Sequence, residues 1–87
     1  MEKIKFKNCE EVEYELNWQS PPESYNAEGL CDSPESENPQ ILIDPNLKNN
    51  RKLSVIIEEI THAFFWDIPE YKVRKFAPRL AKIIKKS

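Results

Sequence analysis

Glycine is nearly missing from this chain: Gly29 is the only one in 87 residues, beside one histidine and two cysteines. So little glycine excludes a Gly-rich phosphate-binding loop. Two cysteines far apart, Cys9 and Cys31, make neither a disulfide framework nor a CxxC cluster, which excludes a structural zinc finger and fits free thiols in a reducing compartment. No apolar run approaches the roughly 20 residues that span a bilayer. The N-terminus, MEKIKFKNCEEVEYEL, alternates charge and hydrophobe where a signal peptide is continuously apolar. These absences point to a cytoplasmic protein with no membrane partner. No serine triad or cysteine–histidine dyad is recognisable.

What is present is enough for one small ordered domain. The apolar fraction, 39%, is ordinary for a globular chain. Charge is unevenly spread. Residues 1–50 hold eleven acids and four bases, and residues 51–87 hold four acids and nine bases. The default reading is a dipolar surface. The sharper one is a basic patch for nucleic acid or an acidic partner, and the bases lack the interleaved aromatics that nucleic-acid grooves use.

Period-two alternation predicts a β-hairpin over 1–18. Ile4 and Phe6 alternate with lysines, and Val12, Tyr14, Leu16 and Trp18 alternate with Glu11, Glu13, Glu15 and Asn17, around a turn at 8–10. Paired antiparallel, a lysine row would face a glutamate row. Residues 19–39, with four prolines and Gly29, read as a long loop with a brief strand at Gly29–Cys31. "QILID", 40–44, reads as an edge strand stopped by Pro45.

A helix is predicted over 51–66 with an apolar stripe of Leu53, Ile56, Ile57, Ile60 and Phe64. A second follows over 67–86. Asp67 is read as its N-cap, Pro69 as an early-turn proline and Glu70 as the capping-box glutamate. Its predicted buried face is Val73, Phe76, Ala77, Leu80, Ala81, Ile83 and Ile84, with a kink or a fresh start at Pro78. The expected fold is α+β: a small antiparallel sheet of three to four strands with two C-terminal helices packed on one face.

The chemistry concentrates in "IIEEITHAFFWD", 56–67. A zinc-peptidase helix carries H-E-x-x-H. Residues four apart project from one face of a helix, so they can share a metal ion, and the glutamate beside the first ligand serves as general base. Glu58 and His62 have the ligand spacing and Glu59 stands at the position of the base. Glu58 replaces the first histidine. The bland alternative is an ordinary i, i+4 pair.

From Ile41 to about Ile84 the chain is similar to a family of very small zincin-like metallopeptidases of the HExxH type, found in phage and bacterial genomes. Their pattern is a strand "I-x-I-D-x-x-L", a basic linker, "L-x-T-x-I-H-E-x-x-H-A" and then "W-D-x-x-E-x-x-V". Here these read "ILIDPNL", "RKLSVIIEEITHA" and "WDIPEYKV", with "GLCD" before the strand. The resemblance covers about half the chain and departs at Glu58. It implies one zincin-like domain over 1–87, in which Glu58, His62 and Glu70 are the metal ligands. Asp67 is the second candidate for the third ligand, and Glu59 is the catalytic base. A carboxylate in place of an imidazole implies zinc held less tightly, or a harder ion such as Mn²⁺ or Mg²⁺. The substrate would be a peptide lying along the "ILID" edge by β-augmentation, in the host cytoplasm if the protein is phage-encoded.

Cys31 would near the site if its segment pairs beside "ILID"; a buried thiol is the plainer reading, and Cys9 suggests nothing catalytic. Trp66, Phe64 and Phe65 read as packing. The bases of the second helix read as a solvated face. Two functions follow. One is a metal-dependent peptidase or its degenerate relative. The other is a non-catalytic protein-interaction module of the phage accessory or regulatory type, using the edge strand, the acidic loop or the basic helix.

Overall fold

A computed structural model describes residues 3–87; the first two residues of the expected 1–18 hairpin lie outside it. Four strands and two helices follow one another as β1 (Ile4–Lys7), β2 (Glu13–Asn17), β3 (Gly29–Cys31), β4 (Gln40–Ile43), α1 (Asn49–Phe64) and α2 (Glu70–Lys86). The class is α+β, as the sequence predicts.

β1 and β2 form the hairpin in the register that alternation demands, Lys5 opposite Glu15 and Lys7 opposite Glu13. Asn8 closes its turn. Its Oδ1 accepts from the amides of Glu10 (2.9 Å) and Val12 (3.0 Å), and its Nδ2 donates to the Ala63 carbonyl (3.1 Å) at the end of α1. Phe6 stacks between Tyr14 and Phe64, with ring centroids 5.6 and 5.7 Å away.

The sheet corrects two expectations. Its order is β1-β2-β4-β3, and β4 pairs parallel with β2 and antiparallel with β3, so the sheet is mixed and not wholly antiparallel. "QILI" is therefore an interior strand and not an edge, with Ile41 and Ile43 fully buried. The edge beside the helices is β3. The long connection 19–39 carries the expected brief strand, β3, at Gly29–Cys31, and also a 3-10 turn at Glu23–Tyr25 that the sequence reading lacks. Its length has a topological cause. The chain must leave β2, pass the place of β4 and set down β3 beyond it, before a hairpin returns β4 into the gap.

α1 lies on the face of β3 and β4, and α2 packs along α1. α1 runs over Asn49–Phe64, not 51–66. Its most buried side chains are Ser54, Val55, Glu59, Thr61 and Ala63; the predicted stripe is only half-buried. The reason is that α1 is covered on two sides. Val55, Glu59 and Ala63 fall on one line of the helix, and Ser54 and Thr61 about half a turn away.

α2 starts at Glu70 behind Pro69, with no side-chain cap bond, so the capping roles of Asp67 and Glu70 are not realised. A turn closed by Ile68 N–H to Phe65 O (3.0 Å) holds Asp67 outside the helix. Pro78 sits inside an unbroken α2. The buried line of α2 is Val73, Ala77 and Ala81, small enough for close approach to α1, whereas Phe76, Ile83 and Ile84 are exposed. With a single helix as neighbour, α2 has one narrow face to bury. Among the described residues no helix is long and apolar enough to cross a membrane.

Candidate metal centre

Glu58 and His62 stand one turn apart on α1, and the turn at 65–68 swings the start of α2 back over them. This brings Glu70 to the same spot. One ligand atom from each of Glu58, His62 and Glu70 lies within 4.8 Å of the others. His62 Nε2 and Glu70 Oε2 are 3.0 Å apart. Two ligands bound at about 2.1 Å to one tetrahedral ion sit roughly 3.4 Å from each other, so small side-chain rotations suffice to close the triad on a metal. The donor set, two carboxylates and an imidazole, suits a divalent ion. Asp67, the second candidate for third ligand, lies outside the group.

Glu70 is held by its neighbours. Arg74 Nε donates to Glu70 Oε1 at 3.3 Å, which leaves Oε2 toward His62. On the other side of the cleft Arg51 donates twice to Glu28 Oε1, at 2.8 and 2.6 Å. His62 is also edge-on to the Trp66 ring, with centroids 6.4 Å apart.

Glu59 occupies the position that the motif gives to a base, and it is buried, only 7% exposed. Burial comes first in pushing its carboxyl up to about 8, and the charges of Glu58 and Glu70 push the same way. Glu58 is also raised, by burial and then by Glu70, against the pull of Arg51, His62 and Arg74. Three carboxyl groups crowded in this manner repel one another, and a cation among them relieves the repulsion.

Gly29 makes the room that Glu59 fills. A Cβ on Gly29 would stand 2.7 Å from Val55 Cγ1 and 2.9 Å from both Cγ and Oε2 of Glu59. The φ of Gly29 is not positive, so space and not backbone conformation requires glycine here.

β3 also offers backbone. Asp32 N–H bonds to Gln40 O (2.9 Å) and Asp44 N–H to Glu28 O (3.0 Å), which places residues 28 and 32 in the ladder positions that face β4. Antiparallel pairs alternate, so the amide and carbonyl of Gly29 and Cys31 point to the open edge. That edge, with Glu58, Glu59 and His62, lines one cleft that continues to Trp66 and Ile68.

Cys31 is buried, bonded through Sγ to the Asp32 carbonyl at 3.4 Å, and is not among the three grouped ligands. Cys9 is exposed. The sequence reading missed Gly29, Arg51 and Arg74 as parts of the site. The Glu70–Arg74 spacing and the uniqueness of Gly29 were the available signals.

Compared with protein-family models, curated proteins and solved structures, the chain matches none.

Proposed function

We propose that Glu58, His62 and Glu70 hold one divalent cation, zinc or manganese, and that the chain is a minimal zincin-like hydrolase of peptide bonds. The observation that carries this reading is the convergence of three ligand side chains from two helices within 4.8 Å, next to a buried glutamate. A cation held there would polarise the scissile carbonyl and lower the pKa of a bound water toward about 7. Glu59, ionised once a cation offsets the charges of Glu58 and Glu70, would accept the proton of the attacking water and return it to the amide nitrogen as the C–N bond breaks. The peptide lies along the open edge of β3, held by the outward amide and carbonyl of Gly29 and Cys31, and not along "ILID".

One observation favours the second reading, a non-catalytic interaction module: the chain of Arg74, Glu70 and His62 satisfies these groups without a metal. Elemental analysis separates the two. Untagged protein purified without chelator should carry close to one zinc or manganese, lost in His62→Ala. Glu59→Gln should keep the metal and lose hydrolysis of a casein-derived peptide mixture. Absence of metal even after zinc or manganese is supplied would overturn the metal centre. Metal without hydrolysis would overturn the peptidase.

A further inference from the structure

The proposed metal centre uses one side of α2, and the other side carries a feature of its own. Phe76 is 45% exposed and Ile83 62%, with Leu80 half-buried between them. Their i, i+4, i+7 spacing makes a single stripe along the helix. With Lys72, Lys75 and Arg79 they line a shallow depression.

The stripe is bordered by charge of one sign. α2 holds seven bases and one acid, Glu70. Arg74 pairs with Glu70, but among the described residues no ion pair involves Lys72, Lys75, Arg79, Lys82, Lys85 or Lys86. At 100° per residue the stripe lies about a quarter turn from the Val73–Ala77–Ala81 line that faces α1. The face turned straight away from α1 carries Lys75, Lys82 and Lys86. The stripe is thus flanked by the protein body on one side and by bases on the other.

We infer that this stripe is a docking site for an acidic amphipathic helix of a protein partner. A helix laid along α2 sets its own i, i+3/i+4, i+7 hydrophobes against Phe76, Leu80 and Ile83, as ridges pack into grooves. Its carboxylates then face Lys72, Lys75 and Arg79, where charge complementarity selects the partner. A second copy packed stripe to stripe would bring two rows of unpaired bases together. A bilayer surface calls for hydrophobes on the outermost face with bases to either side, and the outermost face here is basic. The inference does not depend on the metal centre.

The test is selection from a display library of helical peptides randomised at their surface positions. Enriched peptides should combine a helical apolar stripe with flanking Asp and Glu. Their affinity should fall at least tenfold for Phe76→Ser/Ile83→Ser and for Lys72→Glu/Arg79→Glu. Circular dichroism should show both variants folded, as expected for exposed positions. The inference is overturned if no peptide is enriched, if enriched peptides lack carboxylates, or if the double variants bind them unchanged. It is equally overturned if the protein floats with phosphatidylcholine–phosphatidylglycerol vesicles and loses that binding in Phe76→Ser/Ile83→Ser.

Discussion

Cys31 sits among Tyr14, Asp32 and Glu59, and its thiol is pushed from 9.0 up to about 12. Burial is the main cause and the Glu59 charge the next. The folded chain therefore keeps a proton that the unfolded chain releases above about pH 9. The resulting contribution to stability is complete below pH 9 and is lost as pH rises toward 12. Tyr14, also raised by burial, acts in the same direction at still higher pH. At pH 8, iodoacetamide should label native protein once, on the exposed Cys9, and twice after unfolding in urea. Labelling of both thiols in native protein at that pH would contradict the packing described. Between pH 9 and 11 the urea midpoint should fall, and fall less steeply in Cys31→Ala.

At the scale of elements, the seam between α1 and β3 decides whether the site exists. Glu59 can lie there only because the facing residue has no side chain. Gly29→Ala should cost about 1–3 kcal/mol, the usual range for overpacking a tight contact, and should weaken metal retention by displacing Glu59 and Val55. Urea denaturation checks the first and metal titration the second; an unchanged midpoint would mean that the seam has slack. The same seam shows what the sequence could and could not reveal. The hairpin was legible because six alternating apolar side chains repeat one local signal. The order of β3 and β4 was not, since "GLC" is too short for a period and a parallel pair between β2 and β4 rests on distant contacts. Both helices were legible as helices, and so was the Val73–Ala77–Ala81 line of α2, but the extent of that face and the most buried side chains of α1 were not. A face depends on its neighbour: α1 has two and α2 one. In the site, Glu58, Glu59 and His62 stood out by spacing and Glu70 came through resemblance. Arg74 and Gly29 have roles only once α2 folds back and β3 reaches the edge.

At the scale of the whole molecule, a metal that joins α1 to α2 should tie the fold together. An ion that binds only the folded state at about 100 times its Kd adds about 2.7 kcal/mol. For a domain of this size, 1 kcal/mol shifts Tm by about 4–8 °C. Zinc or manganese should therefore raise Tm by roughly 10 °C or more in the wild type and in Glu59→Gln, and leave His62→Ala unmoved. Differential scanning calorimetry reads all three, and an equal shift in His62→Ala would place the ion elsewhere.

The position of β4 between β2 and β3 also sets an order of events during synthesis. When residue 31 has left the ribosome, both strands of the hairpin are outside, but β3 has no strand to pair with, since its neighbour β4 has not yet emerged. The sheet closes only after residue 43 emerges and inserts into a slot whose two walls were laid down earlier. Until then two strand edges stand open at once, β2 and β3, and the nascent chain is at its most vulnerable to pairing with the wrong partner.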